Sequence, residues 1–202
     1  MRRELTALDR VLLLITGSLA AYQIVVGVEG FGSLALWSFS LAFGVLLVAG
    51  LLMMILGFEV LNSPLVIVVG ALLPLSFSLG LVAEYQPRWS DAYLAISLGG
   101  LAAIALTRYF STGSMATASL ALVHGLSGLV IFLLPIWLVY QQLAPIGILL
   151  VAAGGGLIGL AGLLLMLLRL GKPLVEEKLI FALLPWLLLV MTAAFVLGLW
   201  AP

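Results

Sequence analysis

The chain has 202 residues, 65% of them hydrophobic and only 8% charged, with a mean hydropathy of +1.37. A soluble globule carries charge on about a quarter of its residues, so this composition excludes one and points to an integral membrane protein. Eight Lys and Arg balance eight Asp and Glu, which leaves no field for nucleic acid, and the absence of cysteine excludes disulfides, thiolate metal sites and thiol nucleophiles.

About 20 apolar residues are needed to cross a hydrocarbon core of about 30 Å. Runs of that length occur at residues 10–28, 34–57, 64–83, 91–109, 115–140, 145–170 and 177–199, which predicts an all-α, polytopic bundle of seven transmembrane helices. Short loops make consecutive helices antiparallel neighbours and leave residues 1–202 as a single transmembrane domain.

The first run, with Arg2 and Arg3 before it and Ser18-Leu19-Ala20 within it, has the outline of a signal peptide. Glu4 and Asp9 spoil the basic leader, however, and the apolar run continues to Val28, so a retained anchor is expected. The third run opens on Ser63-Pro64, an N-cap followed by a proline in the first turn, and Ser90 or Asp91, Ser114 and Pro145 open later runs in the same way. Gly171 and Pro173 close the sixth run, and Glu176 and Glu177 sit at the positive dipole end of the seventh. Ala71-Leu72-Leu73-Pro74 is echoed by Ala182-Leu183-Leu184-Pro185, which either a helix-hairpin duplication or chance recurrence in a leucine-rich chain produces.

Transmembrane helices associate through small residues rather than through hydrophobic burial. Ala95, Gly99 and Ala103 recur every four residues in the fourth run, Gly125 belongs to a similar face of the fifth, and Gly156, Gly159 and Gly162 recur every three residues in the sixth, where Gly155 and Gly159 form a GxxxG pair. These are the helix-packing candidates, and they predict that the fourth, fifth and sixth helices form the tight centre. Pro74, Pro135 and Pro185 fall inside helices, where each frees a backbone carbonyl and favours a kink.

Orientation follows from the cations. With the N-terminus cytoplasmic, Arg2, Arg3, Arg10, Arg108, Arg169, Lys172 and Lys178 lie inside and only Arg88 lies outside. Trp89, Trp137, Tyr140 and Trp200 then gather at the outer ends as an aromatic belt, and the C-terminus is outside.

The one histidine, His124, stands roughly 15 Å into the fifth helix, near the bilayer centre. Ser127 shares its face, and Gln23, Ser76, Ser78, Ser97 and Thr192 fall at about 18–21 Å from the cytoplasmic side, so a polar layer can form at one depth. An ionisable residue at that depth marks a candidate site, although an imidazole bonded to a neighbouring hydroxyl is also ordinary interhelical glue.

All eight carboxylates fall in loops or at helix ends, which disfavours a proton- or cation-coupled pump. One histidine without cysteine supplies neither a bis-histidine haem nor a metal site of three or four ligands, so no metal, cofactor or catalytic residue is assigned. The helix count superficially resembles that of rhodopsins, but no lysine within the seventh helix offers a retinal Schiff base and the orientation is reversed.

Three function classes survive. A non-catalytic subunit or assembly factor of a membrane complex ranks first, its partners being the bilayer and other membrane subunits or further copies of itself. A passive carrier or channel for a small neutral solute, lined by His124 and the hydroxyls, ranks second, and an intramembrane lipid-acting enzyme third. Compact loops without glycosylation sequons fit a bacterial or archaeal plasma membrane.

Overall fold

A computed structural model describes residues 4–110, 113–169 and 171–200. Seven long helices account for nearly all of it: α1 (Ala7–Val26), α2 (Ser33–Leu56), α3 (Pro64–Tyr85), α4 (Ser90–Phe110), α5 (Ser114–Tyr140), α6 (Leu149–Arg169) and α7 (Glu177–Trp200). All seven are long and apolar enough to cross a membrane, and no strand occurs among the described residues. The fold is therefore the expected all-α membrane bundle.

Helix starts follow local chemistry. Thr6 and Asp9 form a reciprocal capping box, the Thr6 hydroxyl accepting from the Asp9 N–H and the Asp9 carboxylate accepting from the Thr6 N–H at 2.8 Å. That box starts α1 three residues before the apolar run suggests, and it leaves Asp9, in the first turn of α1, at 1% exposure. Pro64 takes the first position of α3 as expected, while the Ser63 hydroxyl forms no cap bond. The α2 N-terminus, whose cap is Gly32, is served from another helix: the Gly32 N–H donates to Glu84 Oε2 of α3 at 2.9 Å. A carboxylate there also meets the positive end of the α2 dipole.

The helices pack in the order α1, α2, α3, α5, α6, α7, with α7 returning to α1, while α4 lies against α3 and α5. Of the seven, α3 is the most buried and α4 the least, at 61% and 11% of the spanning residues. The expectation that α4, α5 and α6 make the tight centre is corrected here, because α4 is a flank helix. Aromatic packing holds the centre instead. Phe77 of α3 stacks on Phe195 of α7 with centroids 4.1 Å apart, and Phe39 and Phe43 of α2 meet Phe77 edge-on at 5.0 and 6.0 Å.

Glycines let these large rings and the backbones approach. A methyl group at Gly80 would stand 2.8 Å from the Phe39 ring, and one at Gly198 would stand 2.8 Å from the Val151 backbone nitrogen. A methyl at Gly155 would stand 3.1 Å from the Ile131–Phe132 backbone of α5, one turn below Pro135, whose missing N–H leaves the Ile131 carbonyl without its usual donor. At the far end, Trp200 Nε1 donates to Gln23 Oε1 at 3.1 Å and Tyr22 stacks on Trp200, which closes α7 onto α1.

Candidate functional site

The hydroxyls of the polar layer turn mainly to their own helices. Ser76 donates to the Leu72 carbonyl, Ser78 to Pro74 at 2.7 Å and Thr192 to Leu188 at 2.7 Å, each reaching back one turn. Gln23 donates to the Gly27 carbonyl at 2.7 Å and accepts from Trp200, so it secures a helix end. The structure does not gather these groups around His124.

His124 points elsewhere. Its Cδ2 lies 4.0 Å from where a methyl on Gly162 would stand, so the ring occupies the α5–α6 seam, and its Nδ1 is buried without a hydrogen-bond partner. The sequence places Ser127 on the same helical face, and the structure separates the two functionally, since Ser127 turns towards α4.

A different site forms on that side. Between α3, α4 and α5 lies a cleft of about 700 Å³, walled by Leu75 and Val82 of α3, Ile96 and Gly100 of α4, and Val123 and Val130 of α5. Its rim is outward-facing: Ile96, Leu126, Leu129 and Leu133 are all more than half exposed. Gln86 and Trp89 border it at the α3–α4 connection, where the Arg88 guanidinium lies 5.3 Å from the Trp89 ring centroid.

Three polar side chains enter this apolar wall. The Tyr93 phenol lies near the hydroxyls of Ser78 on α3 and Ser127 on α5. Ser78 itself donates to the Pro74 carbonyl at 2.7 Å. One turn deeper, Ser97 is 7% exposed and its hydroxyl has no partner at all. A residue type that normally bonds back to its own helix thus stands unpaired in the cleft wall.

Ser97 and Ser127, two of the polar-layer candidates read from the sequence, line this cleft, whereas Tyr93 is not among those candidates because it sits close enough to the helix start to read as an interface aromatic. The signal is weak: Tyr93 and Ser97 are four residues apart on α4, hence on one face.

The small residues singled out by spacing divide between inside and outside. Gly155 makes the close backbone approach to α5 described above, Gly162 faces His124, and a methyl on Gly156 would stand 3.5 Å from the Phe132 ring, although Gly156 remains exposed. Gly99, Gly125 and Gly159 have no neighbouring atom within 4 Å of the missing methyl, Ala95 is exposed and Ala103 half-buried. Among the described residues no cluster of His, Asp and Glu is arranged to hold a metal ion.

Fold and cleft together define a seven-helix membrane bundle with an outward-opening apolar cleft. No protein-family model, no curated protein and no solved structure matches the chain.

Proposed function

We propose that the protein is a non-catalytic subunit or accessory factor of a membrane complex, docking partner helices or a second copy of itself along the outward faces of α4 and α6. The observation that carries this reading is the direction of the small residues: Ala95 and Gly99 on α4, and Ala153, Gly156 and Gly159 on α6, are exposed, not covered by neighbours in the bundle. Small-residue grooves give helices close backbone approach in a membrane, where association depends on van der Waals packing. The aromatic stack of Phe77 and Phe195 fills the centre, and the intramembrane hydroxyls bond their own backbones, which supports docking over a solute path through the bundle. A bacterial or archaeal plasma membrane fits its compact loops.

Native mass spectrometry of the tagged protein, extracted gently from its own membrane, tests the reading. A stoichiometric partner or a defined oligomer is expected, and a lone chain overturns it. Gly99→Leu and Gly159→Leu add bulk where nothing stands within 4 Å, so each variant folds and loses its partner; retained association in both removes the proposed faces.

A further inference from the structure

We infer that the cleft between α3, α4 and α5 is a binding site for a neutral lipid whose polar end carries a hydroxyl or carbonyl group, taken sideways from the bilayer. This goes beyond the docking reading and does not depend on it. The first argument is size and shape. Ligand cavities run to about 300–1,000 Å³, and a cleft of about 700 Å³ with an apolar wall falls in that range. Ser97 also borders a pocket of about 100 Å³ on the side of Leu98, which is too small to take a ligand of this kind.

The second argument is the unpaired hydroxyl. A buried hydroxyl without a partner is costly, and the native pattern is to satisfy it. Ser97 has passed over the bond to its own backbone that Ser76, Ser78 and Thr192 make, and it stands one turn from Tyr93 and Ser127, whose oxygens retain free lone pairs. The Ser97 oxygen is covered in the unliganded wall; turned about χ1 towards the cleft it donates to a ligand oxygen at this level, and a ligand hydroxyl donates to the phenol or to Ser127.

Charge fixes the class. No Lys, Arg, Asp, Glu or His lines the cleft and Arg88 stands only at its mouth beside Trp89, so a phosphate or carboxylate carried in to the level of Ser97 would leave its counter-charge behind, at high desolvation cost. The exposed rim of Ile96, Leu126 and Leu129 faces where acyl chains lie, so entry is lateral and the tail can extend outward between α4 and α5.

The test compares two probes with one acyl chain, monooleoylglycerol and its charged counterpart lysophosphatidylglycerol, titrated into delipidated protein and read by native mass spectrometry. One monooleoylglycerol per chain is expected, with clear preference over the anionic lipid. Ser97→Ala removes no bond made within the protein, so its thermal stability holds while retention of monooleoylglycerol falls about three- to tenfold, the worth of one hydrogen bond. Ala92→Trp fills the cleft from its exposed edge and abolishes retention. Equal retention of the two lipids, or retention unchanged by Ser97→Ala, overturns the site. Should Ala92→Trp fail to fold, Ser97→Ala still decides.

Discussion

At the scale of single residues, two polar groups have opposite energetic meanings. Glu84 reaches across from α3 to accept the Gly32 N–H, so one carboxylate supplies a cap that glycine cannot provide and joins two helices. Glu84→Ala is expected to destabilise the bundle by about 1 kcal/mol, the usual worth of a cap, and Glu84→Gln by less because its amide oxygen still accepts. Thermal unfolding in detergent reads the difference, and an unchanged midpoint for the alanine variant would show that the bond carries no stability. His124 is the reverse case. Its Nδ1 makes no bond, so replacing the ring with an apolar side chain removes a buried unsatisfied group. His124→Leu is expected to leave the midpoint unchanged or raise it. A fall of several degrees would mean that the imidazole is interhelical glue, as its position in the sequence also allows.

At the scale of helices, α4 is the element on which the rest of the chain has least hold. It is the least buried helix, and its polar clasps are two: Tyr93 set beside Ser78 and Ser127 near one end, and Thr107 Oγ1 bonded to Ser119 Oγ, 2.6 Å apart, near the other. Tyr93→Phe opens the first clasp without changing the shape of the ring. Amide exchange along residues 90–100 is then expected to accelerate while that of α3 and α7 stays slow, because low local contact gives low local stability. Uniform acceleration across all helices would show instead that α4 opens only with the whole bundle. The sequence predicts α4 as an element to within one residue at each end, since length and apolarity suffice to mark a span. Its place at the flank is not legible there. Ala95 and Gly99 at four-residue spacing read alike whether another helix covers them or lipid does, and only the path of the neighbouring helices decides. The cleft is hidden for the same reason, being assembled from three segments that span residues 75–134. The hydroxyls mislead differently: Ser76 and Thr192 fall at a common depth, but a serine or threonine on a helix has its own backbone carbonyl one turn away, and that local bond wins.

At the scale of the whole molecule, most cationic and most helix-end aromatic side chains separate towards opposite ends of the bundle. Arg10 donates from Nη1 to the Met54 carbonyl at 2.7 Å, so the start of α1 and the end of α2 share one end of the bundle. Alternation along seven antiparallel helices puts Arg108, Lys172 and Lys178 at that same end and Arg88 with Trp89 at the other. Arg2 and Arg3 lie outside the described residues, as does the side chain of Arg169, yet Arg10, Arg108, Lys172 and Lys178 already share one end, with Arg88 at the other. The opposite end carries the aromatic groups Tyr22, Trp89, Tyr140 and Trp200, each about half exposed or more. If cations are retained on the cytoplasmic side and aromatic groups anchor at the interface, the α6–α7 connection is expected inside and the α3–α4 connection outside. Because the chain has no cysteine, single cysteines report this without background. In intact cells, a membrane-impermeant maleimide is expected to label Arg88→Cys and to spare Lys172→Cys until the membrane is opened. The reverse pattern would mean that the charge bias does not set the topology, and it would move the mouth of the cleft at Gln86 and Trp89 to the cytoplasmic leaflet, so that any lipid taken there is drawn from the inner side.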